Sequence, residues 1–215
     1  MLVKRIKMDL TVKSIAMQQK YKFEFHPLAK KLYNTFIQAY TDNEQVKYLT
    51  QIDELTTGIS NFPLHQVSVI NVGINEYQII GGCFSPLFNI NNLNHNNTLL
   101  LTYTSAIKAE KRGKIKAERK RLNSNAQPDF EQLIIDFIYM DFIRAASLLS
   151  LKKPGLMANY LRQISQEYHS RIWRDIFGNK HSYFQLTNLV LLTNTARSAI
   201  NQQKSSSHTS VKWPN

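Results

Sequence analysis

The sequence predicts an α+β fold: a small mixed α/β N-terminal domain followed by an all-α domain built around a helix-turn-helix. Three observations predict it. Period-two alternation is confined to the first half, as in "YKFEF" and "HQVSVINVGINEYQII". From Pro128 onward the apolar spacing is helical. Between the halves lies a run dense in Lys and Arg, which marks residues 107–127 as a basic connector. The expected layout is an α/β domain over 1–106, the connector, a helical domain over 128–201 and a disordered tail over 202–215.

Residues 1–25 predict one or two short strands. "HPLAKKLYNTFIQAY" follows as a helix with Pro27 at its first position, where the missing N–H costs nothing. Leu28, Leu32, Phe36 and Tyr40 recur every four residues and form an apolar stripe. "NEQVKYLTQIDELTTGI" predicts a further helix ending near Gly58. Val67 and Val69 then alternate with polar residues, "NVGINE" carries turn signals and "YQII" resumes as a strand, which together make a hairpin leaving through Gly81 and Gly82. "NINNLNHNN" is loop-like, and "TLLLTYT" is another strand. Residues 129–149 predict a long helix, apolar nearly all round and hence central. Further helices are expected over 155–164, 166–177 and 184–201. Trp173, between Arg171 and Arg174, is expected in the core.

The chain has 215 residues and a formal net charge of +12. That charge favours a polyanionic partner, nucleic acid first. It is unevenly spread: 31–100 is net −3, while 101–125 alone holds eight basic and two acidic residues. In that block Lys111, Arg112, Lys114, Lys116, Arg119, Lys120 and Arg121 are suited to phosphate contact without sequence reading. The same block also reads as a solvated linker or exposed helix, weakened at Gly113 by about 1 kcal/mol relative to Ala.

The single cysteine, Cys83, excludes an internal disulfide framework and a Cys-rich zinc site. The six histidines lack metal-ligand spacing, and no glycine-rich phosphate loop occurs. No cofactor or metal is therefore expected. Asp136 and Asp141 fit capping contacts better than an acid/base pair. "MLVKRIKMDL" lacks the apolar region of a signal peptide. The most apolar stretch is cut by Asp136, Asp141 and Arg144, short of the roughly 18 apolar residues of a membrane span. A cytoplasmic location, on the nucleoid or a plasmid, and no membrane partner are expected.

"AASLLSLKKPGLMANYLRQIS", Ala145 to Ser165, holds the candidate for DNA reading. Ala145, Ala146 and Ser147 are small enough for a helix crossing. The residue before Pro154 is biased away from helix, and Pro154 suits a helix start. Leu156 or Met157, with Tyr160, Leu161 and Ile164, can face inward. Lys152, Lys153, Asn159, Arg162 and Gln163 then remain for DNA: Asn and Gln suit adenine edges, Arg guanine and Lys phosphates. If Ser147 is the crossing residue, Leu151 falls at the turn; if Ala146 is, Asn159 faces inward. An ordinary αα-hairpin also fits this stretch.

At these residues the chain resembles the ParB-like partition proteins, in which a small α/β domain precedes a helix-turn-helix domain. "MANYLRQI" is similar to the "VANxLRLL" string of that family, and the resemblance makes Asn159 and Arg162 the outward polar positions. Gly58, "FPLHQVSV" and "EYQIIGGCFS" follow the family's N-terminal pattern, with Tyr77, Ile79, Ile80 and Gly82 in place. Cys83, Phe84 and Ser85 stand where the family has an acidic residue and two arginines, so the resemblance does not reach the nucleotide-handling positions. Sulfiredoxins share this core fold and carry "GGCHR" with a nucleophilic Cys; here the string is "GGCFS". Together these readings imply a non-enzymatic, sequence-specific protein that binds double-stranded DNA, a homodimer acting in partition or transcriptional control. The alternatives are an enzyme centred on Cys83 and a non-specific nucleic-acid adaptor.

Overall fold

A computed structural model describes residues 8–14, 21–40, 65–93, 98–105, 130–149 and 151–206. The helix expected to end near Gly58 and the basic connector lie outside the described residues, as do residues 207–215.

Among the described residues, five strands form one mixed sheet: β1 (Met8–Ser14), β2 (Lys22–Phe25), β3 (His65–Gly73), β4 (Glu76–Gly81) and β5 (Thr98–Ser105). Their spatial order is β1-β5-β3-β4-β2. β3 and β4 make the expected antiparallel hairpin, turning at Ile74 and Asn75. Asn75 takes a positive φ of 58°, a conformation that Asn tolerates better than most residues. β2 adds to β4 in parallel, and β5 lies parallel to β3 and antiparallel to β1.

Helix α1 (Pro27–Ala39) crosses from β2 and buries Leu28, Leu32 and Phe36, the stripe that the four-residue spacing predicts. Its start is held by His26. The Nδ1 atom of His26 accepts from the Leu28 N–H at 3.3 Å, so the ring proton belongs on Nε2, which lies 3.2 Å from Glu131 Oε1. Burial pushes this imidazole below its ordinary pKa of 6.5, and the hydrogen bond to Glu131 opposes that in part. A histidine held neutral in the fold stabilises it fully above pH 6.5. As pH falls below that value, the unfolded chain takes up a proton that the folded chain refuses. Stability is therefore expected to fall below pH 6.5 with a slope of up to about 1.4 kcal/mol per pH unit. His26→Asn keeps a capping oxygen and should flatten that slope in denaturant titrations at pH 7 and pH 5. Equal slopes for the variant and the parent would refute the neutral cap.

The helical half comprises α2 (Phe130–Leu148), α3 (Met157–Glu167), α4 (Ile172–Phe177), α5 (Leu186–Thr193) and α6 (Arg197–Ser206), with a 3-10 turn over Pro154–Leu156. Three expected helices change. The one expected over 155–164 starts as the 3-10 turn and runs to Glu167. The one expected over 166–177 is interrupted at 168–171, where Asp136 Oδ1 accepts from Ser170 Oγ at 2.5 Å and from the Arg171 N–H at 3.2 Å. The one expected over 184–201 is two helices broken at Asn194. The disordered tail expected from residue 202 also needs correction, because 202–206 continue α6. Docking orders this polar segment: Gln203 Oε1 accepts from the Gly155 N–H at 2.8 Å.

α2 buries Ile134, Ile138, Tyr139, Phe142, Ile143 and Ala146 and lies against α1, β4, α4 and α5. Phe142 meets Phe84 at 5.5 Å and Phe36 at 6.5 Å, each edge-on. Trp173 is fully buried among Tyr139, Phe177 and Phe184, as its core placement predicts. Buried side chains of the sheet half and the helical half form one continuous cluster. The packing of the described residues thus shows no break that matches the expected boundary at 107–127. Among the described residues, no helix is long and apolar enough to cross a membrane.

Candidate nucleic-acid interface

The turn before α3 is held from two sides. The Lys153 N–H donates to Ala39 O at 3.0 Å, fastening the turn to the end of α1. Pro154 and Gly155 are buried against α6, and a Cβ on Gly155 would lie 2.4 Å from Ile200 O. The "PG" pair therefore serves the close approach of this turn to α6. α3 then buries Met157, Ala158, Leu161, Ile164 and Ser165 on one face. Tyr160 and Leu156, expected inward, are half-buried.

Lys152, Lys153, Arg162 and Gln163 are exposed and Asn159 is half-exposed. Asn159, Arg162 and Gln163 lie on the side of α3 opposite its buried face, because three- and four-residue steps return to one side of a helix. The side chains expected for DNA are thus together on the surface, with the two lysines immediately ahead of them in the turn. Lys111, Arg112, Lys114, Lys116, Arg119, Lys120 and Arg121 lie outside the described residues.

What the structure does not reproduce is the expected helix pair. In a helix-turn-helix the second helix leans on the first. α3 instead packs on α1, on α6 and on the 3-10 turn, and meets α2 marginally at most. The reason is the length and position of α2: its apolar faces are taken up by the sheet, α1 and the helices after α3. Its last turn, with Ser147 and Leu148, is exposed. The question of whether Ala146 or Ser147 is the crossing residue therefore has no helix crossing to attach to. Ala146 is buried in the core, and Ser147 Oγ donates to Arg144 O.

The "GGCFS" string is placed by packing. Gly82 has φ +71°, and a Cβ there would lie 2.0 Å from Gln66 O. Its N–H donates to Asp141 Oδ2 at 2.7 Å, while Asp141 Oδ1 meets Arg144 Nη2 at 3.0 Å. Asp141 thus caps the end of β4 from α2, as Asp136 caps the turn before α4. Cys83 is fully buried. Burial, and secondarily the nearby Asp141 charge, push its thiol far above the ordinary value. Burial and this shift both favour the protonated thiol. Beside this turn lies an open cleft of about 490 Å³, lined in part by Gln66, Ser68, Tyr103, Phe137, Asp141 and Arg144.

No protein-family model, no curated protein and no solved structure matches this chain.

Proposed function

We propose that this chain is a sequence-specific double-stranded DNA-binding protein that acts as a homodimer, with a role in partition or transcriptional control as its resemblance to ParB-like proteins implies. The observation that carries the reading is the surface of α3 and of the turn before it: Arg162 and Gln163 are exposed and Asn159 half-exposed on a helix whose opposite face is locked into the core, and Lys152 and Lys153 are exposed in the turn ahead of it, in a chain of net charge +12. Cations on a rigid element hold phosphates with little ordering cost, and release of counterions drives the binding. Two-fold DNA sites suit a dimer, since one helical module alone buries little surface.

The test is binding of the full chain to a labelled duplex over a salt series. Affinity should fall linearly on a log–log plot. The combined Lys152→Ala, Lys153→Ala, Arg162→Ala variant should weaken binding to every duplex and flatten the slope by about one for each phosphate left unneutralised. Binding that is absent at low salt, or indifferent to salt, contradicts the proposal.

A further inference from the structure

The break that sequence periodicity overlooks, at Asn194, gives the helical half a pair of packed helices joined by a short turn. α5 has eight residues, α6 has ten, and the two pack on each other. Between them stand only Asn194, Thr195 and Ala196. Asn194 has φ 49°, ψ 36°, the left-handed conformation that ends α5 and redirects the chain. Thr193 and Thr195 clamp the turn: their hydroxyls lie 3.0 Å apart, and Thr195 Oγ1 donates to Thr193 O at 3.2 Å. Ile200 N then donates to Ala196 O at 3.1 Å, which starts α6.

The start of α5 is fixed equally firmly. The side-chain amides of Asn179 and Asn188, both buried, exchange two hydrogen bonds of 3.0 and 2.9 Å, and Asn188 Oδ1 also accepts from the Gln185 N–H at 2.6 Å. Leu189 and Leu192 of α5 and Ile200 of α6 are buried. The far side of α6 is different. Arg197, Ser198, Asn201 and Gln202 are exposed, while Ile200 has no exposure at all. Steps of one, four and five residues put those four on one face, in the first turns of the helix. A helix-turn-helix needs the same parts: two short helices, a three- to four-residue turn, an apolar inner side, and polar residues at the N-terminal end of the second helix for the base edges.

The charge along this segment is one-signed. Residues 176–206 contain three basic residues, Lys180, Arg197 and Lys204, and no Asp or Glu. A surface that was merely soluble would carry both signs. Cations with no carboxylate among them along this segment, and a face of Arg, Ser, Asn and Gln on its last helix, suit the phosphates and base edges of a duplex.

We propose that α5, the Asn194 turn and α6 are the reading unit of this protein, with α6 entering the major groove of duplex DNA. Arg197 suits a guanine edge, and Asn201 and Gln202 suit adenine edges. α3 and the turn before it, which docks to α6 through Gly155 and Gln203, then support the unit, and Lys152 and Lys153 of that turn, with Arg162 of α3, reach phosphates. This assignment rests on the DNA-binding reading above and moves base recognition from α3 to α6.

The experiment is a random-library duplex selection with the full chain, followed by binding to the selected site and to a scrambled duplex at matched salt. Three variants are compared with the parent: Arg197→Ala, the double Asn201→Ala, Gln202→Ala, and the double Asn159→Ala, Arg162→Ala. Circular dichroism melts check that each keeps the fold. The α6 variants should lose about tenfold or more of the preference for the selected site. The neutral α6 double should leave scrambled-duplex binding within about threefold of the parent, since it removes no cation from the phosphates. The α3 double should weaken both duplexes alike. Preference that disappears in the α3 double and persists in the α6 variants overturns the assignment and leaves DNA binding standing. So does binding in which the parent selects no sequence. Absence of duplex binding at low salt overturns both readings together.

Discussion

Phe142→Ala is expected to lower the free energy of unfolding by about 3–5 kcal/mol. The ring sits on α2 with no exposure and touches Phe36 of α1 and Phe84 beyond β4. It is one of the side chains through which the helical half grips the sheet half, with Asp141 and Phe137 beside it on α2. Its removal costs the transfer energy of the ring and leaves a cavity that three separately anchored elements cannot close. A domain of this size has about 5–15 kcal/mol in total, so the loss is a large share. The continuous core also predicts how the loss is seen. Urea transitions followed by far-ultraviolet circular dichroism and by the fluorescence of Trp173, isolated in a Trp213→Phe background, should move together to a lower midpoint. If the fluorescence midpoint fell while a separate transition stayed in place, the two halves would be independent domains and the shared core would not govern stability.

Gly82→Ala carries the second large effect, about 2–5 kcal/mol. Two costs combine. The backbone at φ +71° disfavours any L side chain by about 1–2 kcal/mol. The added Cβ would also meet Gln66 O at 2.0 Å, a backbone atom inside the sheet that cannot swing aside, and overpacking of that kind costs about 1–3 kcal/mol. Gly178 separates the two. It has φ +64° with nothing within 4 Å of its would-be Cβ, so Gly178→Ala bears the conformational cost alone. The difference between the two midpoints in chemical denaturation measures the collision. Equal losses would mean that the strand end at Gly82 has room to relax, and that Asp141 and Gln66 do not hold it rigidly.

The parts of this fold that are legible in the sequence are those whose burial is written in a local period. The β3–β4 hairpin shows in the alternation around Val67 and Val69 and in the turn signal before Glu76. α1 shows in the spacing of Leu28, Leu32 and Phe36. The basic and polar residues of α3 face outward as expected, because Met157, Leu161 and Ile164 leave only one side for them. Where a break has no Gly or Pro, periodicity is silent. "LVLLTNTARSAI" reads as one helix, since Asn194, Thr195 and Ala196 each tolerate helical geometry, and the break depends on αL backbone and threonine hydroxyls. At the "GGCFS" string the spacing does not show what the structure adds: a tight strand end against α2, with the Cys83 thiol buried.

Residue type and short-range spacing suffice for the class of the fold, the faces that must be buried and the excess of positive charge. What those faces are buried against is a matter of tertiary packing. An apolar stripe states that a helix needs a partner without saying which, and the choice falls to the helices that compete for the same surface. α2 is taken by the sheet and by α1, so α3 settles on α1 and α6. The helix pair left to meet at a short turn is α5 and α6, well beyond the segment where local spacing places it.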